Sequence, residues 1–287
     1  MNFVDTHCHL DATEFGGTQD DIVRDAVSAG VQHIVIPSVE RANFDTVQML
    51  CARFTNCAPA YGIHPMYTDR AMPHDLDVLR DQLQQHHPVA VGEIGLDFFI
   101  NHYDQACQEY FFVEQLKLAR EFDLPVLLHI RRAQDTVLKH LRQHKVCGGI
   151  AHAFNGSHQQ ADEFIKLGFK LGFGGAMTYP RATKLRELAA TLPLDSIVLE
   201  TDAPDIPPDF LEKGSPNGQA RFPHPNPPPM GEGTSASLRE KRINEPKYLP
   251  RIAQTLAELR GMTLAEVAQA TTANVLAVLP ALRPSPL

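Results

Sequence analysis

The chain has 287 residues, of which 43% are hydrophobic, and a formal net charge of −8. This length and apolar content suit one large globular domain, and the negative balance argues against tight electrostatic binding of duplex nucleic acid, which needs concentrated Lys and Arg. The sequence has no run of roughly 20 apolar residues, and its five cysteines form no Cys-x-x-Cys pair. Its first residues, MNFVDTHCHL, do not follow the pattern of a secretory leader, so we expect a cytoplasmic protein without a membrane span.

Short apolar runs alternate with amphipathic segments along most of the chain. The runs are rich in Val, Ile and Leu, which is typical of parallel strands covered on both faces. They are Phe3–Thr6, His33–Pro37, Ala58–Ile63, Val89–Gly92, Pro125–His129, Gly149–His152, Phe169–Phe173 and Ile197–Glu200. The segments with helical spacing are Asp20–Ala29, Asn43–Phe54, Asp75–Gln85, Asp104–Phe122, Ala133–Gln143, His158–Leu167, Ala182–Leu192, Tyr248–Arg260 and Leu264–Leu279.

Eight strands that alternate with helices predict an α/β fold, a (β/α)8 TIM barrel that forms a single domain over residues 1–287. A doubly wound open sheet is the alternative. It would carry a Gly-rich fingerprint after the first strand, where Thr6-His7-Cys8-His9 stands instead.

The alternation breaks between Pro204 and Pro250, where the chain is rich in Pro, Gly, Ser and charged residues. This composition predicts a long irregular loop after the eighth strand, with a Pro-rich insertion at about 211–240. A flexible insertion is favoured over a lid, because the stretch has no periodic apolar pattern.

Ionisable side chains stand at or just past the C-terminal end of six of the apolar runs. They are His7, His9, His64, Glu93, His129, His152 and Asp202. A single His at a strand end is more often an ordinary hydrogen-bonded or surface residue than a ligand. In a TIM barrel, however, the C-terminal strand ends share one mouth, so all seven side chains would converge there. This convergence predicts the functional site.

Six of these residues form a set of candidate metal ligands with nitrogen and oxygen donors. The one-residue spacing of His7 and His9 puts both imidazoles on the same side of an extended segment. One catalytic zinc needs three protein ligands, and His7, His9, Glu93, His129, His152 and Asp202 are enough for two ions. We therefore expect two divalent cations, with Zn, Mg and Mn all compatible with these donors.

The carboxylates of this set have predicted roles in hydrolysis. Glu93 can bridge two ions with its two oxygens, and paired ions can stabilise both the attacking and the leaving oxygen of an in-line displacement. Asp202 is the natural partner of the attacking water, as a ligand, a proton acceptor or both.

Six motifs resemble those of the TatD-type metal-dependent hydrolases, in the same order and over almost the whole chain. They are Asp5-Thr-His-Cys-His-Leu10, Gly62-Ile-His-Pro65, Gly92-Glu-Ile-Gly-Leu-Asp97, Leu128-His-Ile-Arg-Arg-Ala133, His152-Ala-Phe-Asn-Gly-Ser157 and Glu200-Thr-Asp-Ala-Pro204. Tyr179-Pro-Arg-Ala182 and Ala203-Pro-Asp205 look most like the YjjV-type branch of that family. In the family, an Asn-Glu-Pro motif usually follows soon after the last of these motifs. Here Asn244-Glu-Pro246 comes only after the Pro-rich stretch, which therefore looks like an insertion.

The resemblance implies a barrel of the metallo-dependent hydrolase type with deoxyribonuclease or phosphoesterase activity. It implies that His7, His9, Glu93 and Asp202 hold one metal, and that Glu93, His129 and His152 hold the second. His64 would stand beside the metals and position or protonate the substrate. The predicted catalytic residues are thus Asp202, His64 and Glu93.

The predicted function is hydrolysis of ester bonds, foremost as a deoxyribonuclease or phosphodiesterase that uses a metal-activated water. The acidic net charge favours single-stranded DNA or strand ends as the partner over duplex DNA, and no obligate protein partner is evident. Arg132 and Arg181 could contact phosphate, because the guanidinium fork matches phosphate geometry, although ordinary salt bridges are an equally open reading.

Two other functions stay open. The same centre could serve a small-molecule amidohydrolase, lactonase or phosphoesterase, because function lies in the site and not in the fold. A Lys suited to carbamylation would favour an amidohydrolase, but none of the eight strand ends carries one. A metal-retaining protein without turnover is the third possibility, and Asp202, which exceeds a minimal ligand set, argues against it.

Overall fold

Eight parallel strands form one sheet whose order follows the chain. The computed structural model describes residues 1–100, 103–212 and 243–282. Within these ranges the strands are β1 (Phe3–Asp5), β2 (Val31–Pro37), β3 (Cys57–Tyr61), β4 (Ala90–Asp97), β5 (Val126–Arg131), β6 (Gly149–Ala151), β7 (Phe169–Phe173) and β8 (Ile197–Leu199). Each of the predicted strands overlaps one of them.

The first and last strands meet through the segments that continue them. The Thr6 amide donates to the Leu199 carbonyl at 3.2 Å, and the Asp202 amide donates to the His7 carbonyl at 2.8 Å. A further bridge pairs Cys8 with Ala203. The sheet therefore curls into a nearly closed barrel, and the predicted TIM-barrel architecture is confirmed.

Helices follow the strands in alternation. They are α1 (Gln19–Ser28), α2 (Phe44–Arg53), α3 (Asp75–His86), α4 (Gln105–Glu121), α5 (Gln134–Gln143), α6 (His158–Lys166), α7 (Thr183–Thr191), α8 (Asp209–Glu212), α9 (Leu249–Arg260) and α10 (Leu264–Val278). All nine predicted helices are present, and the short α8 is an addition. In the part of the chain that is described, no helix is both long enough and apolar enough to cross a membrane.

Side-chain caps mark several helix starts. The Asp104 carboxylate accepts from the Cys107 amide at the start of α4. Ser157 and Thr263 form reciprocal capping boxes at the starts of α6 and α10. These side chains satisfy amide groups that lack a partner within the helix.

The barrel interior is filled by one small cluster of apolar side chains. Seven strands each contribute one buried residue to it, and α10 and the segment after it contribute Val275, Leu279 and Leu282. The strand residues are Val4, Val35, Ala60, Ala90, Leu127, Ile150 and Val198. The interior is therefore a packed core, which leaves the mouth as the place for chemistry.

Two strands extend beyond their predicted C-terminal ends, and this changes where two site residues stand. β4 continues to Asp97, so Glu93 lies within the strand and not past its end. His129 likewise lies within β5, which ends at Arg131. The two strands pair with each other as far as Asp97 and Arg131. The apolar pattern of β4 ends earlier, because Glu93 and Gly95 interrupt it, so the sequence pattern stops before the strand does.

The predicted Pro-rich insertion at about 211–240 lies almost entirely outside the described residues. Only its first two positions are described, at the end of α8. The described chain resumes at residue 243, where the buried Asn244 side chain donates to the Thr201 and Asp205 carbonyls at 2.8 and 2.7 Å. These bonds hold the segment that follows the eighth strand.

Candidate metal centre

Glu93 stands at the middle of the converging side chains and is only 2% exposed. One of its oxygens, Oε2, lies 3.1 Å from His7 Nε2 and 3.7 Å from His9 Nε2. The other, Oε1, lies 3.0 Å from His129 Nδ1 and 3.6 Å from His64 Nε2. The two oxygens of one buried carboxylate thus face two different pairs of histidines.

Asp202 approaches the same centre from the segment after β8. Its Oδ1 lies 3.8 Å from both His7 Nε2 and His9 Nε2, and 3.5 Å from His152 Nε2. The rings of His7 and His152 stack at 3.6 Å between centroids. All seven residues predicted from the strand ends therefore meet in one cluster.

Three sets of these side chains place their ligand atoms within 4.8 Å of one another: His7 with Glu93 and His152, His7 with His9 and Asp202, and His64 with Glu93 and His129. The family-based expectation put His152 with Glu93 and His129. In this structure His152 groups with His7 and Glu93, and His129 groups with His64 and Glu93.

The donor chemistry of this cluster fits divalent cations. The donors are imidazole nitrogens and carboxylate oxygens, a set that several divalent metals accept. His7 Nε2 and His9 Nε2 lie only 3.3 Å apart, and both face the same two carboxylates. A cation between these groups would satisfy nitrogen and oxygen lone pairs together.

Burial and charge set the protonation of the cluster. Burial raises the pKa of Glu93, but the neighbouring His7 and His64 more than offset this and hold that pKa well below its usual value. Burial lowers the pKa of His129, and hydrogen bonds to Asp97 and Glu93 outweigh it and raise that pKa to about 9. The pocket therefore favours positive charge next to Glu93, the place where a cation would replace the proton.

His64 differs electrostatically from His129 and His152, whose pKa values are raised. Burial lowers its pKa to about 3, so the ring is neutral at pH 7. The Met66 amide donates to His64 Nδ1 at 3.1 Å, which puts the ring proton of the neutral form on Nε2. The nitrogen that faces Glu93 is then a hydrogen-bond donor. This tautomer favours the predicted positioning role of His64 over a role as a ligand.

Two carboxylates behind the histidines were not singled out from the sequence. Asp97 Oδ2 lies 3.0 Å from His129 Nε2, on the side of the ring away from Glu93. Glu200 Oε1 lies 3.0 Å from His152 Nδ1 and accepts from the Ala153 amide at 2.6 Å. Such outer carboxylates orient ligating histidines. Both stand inside motifs quoted above, but only the fold reveals which histidine each one faces.

A third acidic residue, Asp5, ties the two edges of the barrel together at the site. It is fully buried, and it accepts from the Thr201 amide at 2.9 Å, from the Thr201 hydroxyl at 2.5 Å and from the His7 amide at 3.3 Å. Burial raises its pKa to about 7. Asp5 therefore helps to position both His7 and the neighbouring Asp202.

The two predicted phosphate contacts follow different strands, β5 and β7. Arg132 directly follows β5, and its guanidinium carbon lies 4.3 Å from the centroid of the Phe99 ring. Arg181 lines a cavity of about 260 Å³ together with Lys184 and Leu185. Leu185 also lines a second cavity, which contains Asp202, so the Arg181 cavity adjoins the metal centre.

Comparison with known proteins gives a consistent result over the whole fold. The model of the family described as TatD related DNase matches residues 4–280. The chain is 38% identical to the uncharacterized metal-dependent hydrolase YjjV of Escherichia coli, over 95% of each sequence. The crystal structure of that protein superposes with a TM-score of 0.83, covering 97% of this chain and 98% of that one.

A second relative carries a more specific name. The 3'-5' ssDNA/RNA exonuclease TatD of Escherichia fergusonii is 30% identical and matches 94% of this chain and 96% of its own length. A TatD family hydrolase from Entamoeba histolytica, at 20% identity and a TM-score of 0.80, shares the fold.

Proposed function

Because the chain belongs to the TatD family of metal-dependent hydrolases, we propose that it is a phosphodiesterase that cleaves DNA near single-stranded ends. The observation that carries the proposal is the position of Glu93, whose two oxygens face two separate pairs of histidines. This arrangement suits the two cations that in-line displacement at phosphorus uses. The name of the relative from Escherichia fergusonii supports a nucleic-acid substrate.

The metal-binding part of the proposal assigns six ligands: His7, His9, Glu93, His129, His152 and Asp202. Bound divalent cations would lower the pKa of a coordinated water to about 7 and stabilise charge that develops on the phosphate. The donors suit Zn, Mg and Mn alike, and metal analysis of the purified protein identifies the bound ion.

The protein's own side chains supply the remaining chemistry. The Asp202 carboxylate is 13% exposed and lies at the edge of the cluster, where it can orient a water and accept its proton. The neutral His64 presents its Nε2 proton to the space beside Glu93 and can donate a hydrogen bond to a phosphate oxygen. Arg132 and Arg181, which follow β5 and β7, contact flanking phosphate charge.

A small-molecule amidohydrolase, lactonase or phosphoesterase is the alternative with the same centre. Amidohydrolases that use a carbamylated Lys need that side chain at a strand end near the metals. In β7, Lys170 instead donates to the Asp195 carbonyl at 2.6 Å, outside the cluster. This observation favours the phosphodiesterase over that form of the alternative.

The test uses metal-loaded protein and end-labelled DNA in three forms: linear single strands, circular single strands and blunt duplex. We expect metal-dependent release of short products from the linear single strand, and slow or no cleavage of the circle. Glu93→Gln should abolish the activity. Glu258→Gln, which makes the same change at an exposed site on α9, should leave it intact.

Two results would contradict the proposal. One is the absence of metal-dependent cleavage of any of the three DNA forms. The other is cleavage that Glu93→Gln leaves unchanged, which would point to a contaminating nuclease. Turnover of lactones or amides in place of DNA would establish the small-molecule alternative.

A further inference from the structure

Two neighbouring arginines share one aromatic ring at the mouth of the barrel. The guanidinium carbon of Arg131 lies 3.8 Å from the centroid of Phe99, and that of Arg132 lies 4.3 Å from the same centroid. Cations are attracted to the face of an aromatic ring. The Phe99 ring therefore holds the guanidinium groups of Arg131 and Arg132 close to each other.

Strand register puts this pair next to the metal centre. Arg131 pairs with Asp97 across β4 and β5, and it stands two positions after His129, on the same face of its strand. The Phe99 amide donates to Asp97 Oδ1 at 2.9 Å, and the other oxygen of Asp97 holds His129. The arginine pair and Phe99 are thus the next layer outward from Asp97 and His129.

The two guanidinium groups of this layer form no salt bridge within the described part of the chain, although Asp97 acts on the charge of Arg131 from a longer distance. Among the described residues, no carboxylate lies within 4.0 Å of either guanidinium, although most other arginines that face the surface have such a partner. Arg131 is half-buried and Arg132 is exposed. Two adjacent like charges repel each other, and an anion that joins them removes this repulsion.

Phosphate is the anion that fits both the charge and the location. Guanidinium groups bind phosphate oxygens through two parallel hydrogen bonds, and stacking on Phe99 restricts the side chains before binding. The pair lies beyond the ligands of the centre and does not belong to them. A phosphate bound there would be the neighbour of the one that is cleaved.

We propose that Arg131 and Arg132, held by Phe99, bind the phosphate adjacent to the scissile phosphodiester. The protein then selects substrates with at least two consecutive phosphates, which are oligonucleotides, over isolated phosphodiesters. This inference rests on the proposed phosphodiesterase function, and it adds Arg131 and Phe99 to the contacts expected from the sequence.

The test compares two substrates that differ by one phosphate, thymidylyl-thymidine (TpT) and the trinucleotide TpTpT. We expect the wild-type protein to prefer TpTpT by about tenfold in kcat/KM, because a charged hydrogen-bonded contact contributes about that factor. In the double variant Arg131→Gln/Arg132→Gln, this preference should disappear through a higher KM for TpTpT.

Matched controls separate the site from general charge and from folding. Arg24→Gln/Arg142→Gln removes the same charge from exposed positions on α1 and α5 and should keep the preference. Arg131→Lys/Arg132→Lys retains the charge without the planar fork and should lose most of it. Phe99→Leu should weaken the preference, and thermal melting of each variant reports whether it is folded.

The outcomes distinguish the two proposals. If the wild-type protein cleaves both substrates and the folded Gln or Lys double variant keeps the full preference for TpTpT, the adjacent-phosphate site is wrong and the phosphodiesterase stands. A wild-type protein that cleaves TpT and TpTpT with equal kcat/KM would likewise contradict the adjacent-phosphate site and leave the phosphodiesterase proposal standing. If neither substrate nor any longer single strand is cleaved in the presence of metal, the proposed function itself is overturned.

Discussion

Asp97 and Glu200 are single residues behind the candidate metal centre, and each contacts one of its histidines. Each faces the ring nitrogen of a histidine whose other nitrogen points into the cluster, at 3.0 Å in both cases. Burial raises the pKa of Asp97, but the hydrogen bond to His129, the charge of that ring and the hydrogen bond from the Phe99 amide act against it, so the net shift of the pKa is downward. The carboxylate is therefore charged and can hold the ring in one orientation.

Removing the charge of either carboxylate should weaken metal binding without removing a ligand. For Asp97→Asn and Glu200→Gln we expect a loss of about 10–100-fold in metal affinity, the usual effect of losing an outer-shell partner. Competition against a fluorescent chelator measures it. Asp195→Asn, at an exposed position before β8, is the control and should bind metal normally. Unchanged affinity in both test variants would contradict the orienting role.

At the scale of the element, the close approach of β5 and β6 depends on one glycine. In the register of these strands, Gly149 stands opposite Val126. A Cβ at Gly149 would lie only 2.0 Å from the Val126 carbonyl oxygen, which is backbone and cannot move aside alone. β6 is three residues long and leads directly into His152. A change in the distance between β5 and β6 would therefore also shift His152.

Gly149→Ala should force the two strands apart. We expect a cost of up to about 3 kcal/mol, the range of overpacking in a core, seen as a melting temperature lower by roughly 5–10 °C. The control is Gly16→Ala, where a Cβ meets nothing within 4 Å and only the left-handed backbone costs about 1 kcal/mol. Equal melting temperatures for the two variants would contradict the predicted clash.

At the scale of the molecule, the centre joins segments that are distant in sequence. Its side chains come from β1, β4, β5, β6 and β8 or from the segments that directly follow them, and His64 follows β3. Apart from the pair His7 and His9, these groups are not held near one another in an unfolded chain. A cation that binds them therefore binds the folded barrel and not the unfolded state, and it stabilises the whole fold.

Metal removal should accordingly lower the thermal stability of the whole barrel. Titrating chelator-treated protein with Zn, Mn or Mg to about 100 times the dissociation constant should stabilise it by about 2.7 kcal/mol. The chain contains no Trp, so circular dichroism or an external dye is the suitable readout. Glu93→Gln should reduce the shift and Glu258→Gln should not. A melting temperature unaffected by every metal would contradict a cation centre in this cluster.

The strand and helix pattern could be predicted from the sequence because it depends on local periodicity. Apart from Lys170, the run Phe169–Phe173 is apolar and buried, as a strand covered on both faces requires. The same reasoning found the ionisable residues at the strand ends, because the barrel topology sends all those ends to one mouth. The spacing of His7 and His9 already indicated a pair on one side of the chain.

Only the tertiary structure decided which of these residues face each other. The extent of β4 is set by its pairing with β5, and an apolar run that stops at Gly92 could not reveal it. The placement of Asp97 behind His129 and the stacking of Arg131 on Phe99 follow from that register. Such contacts join residues more than thirty positions apart, and their geometry depends on strand pairing across the sheet, which no local pattern in the sequence contains.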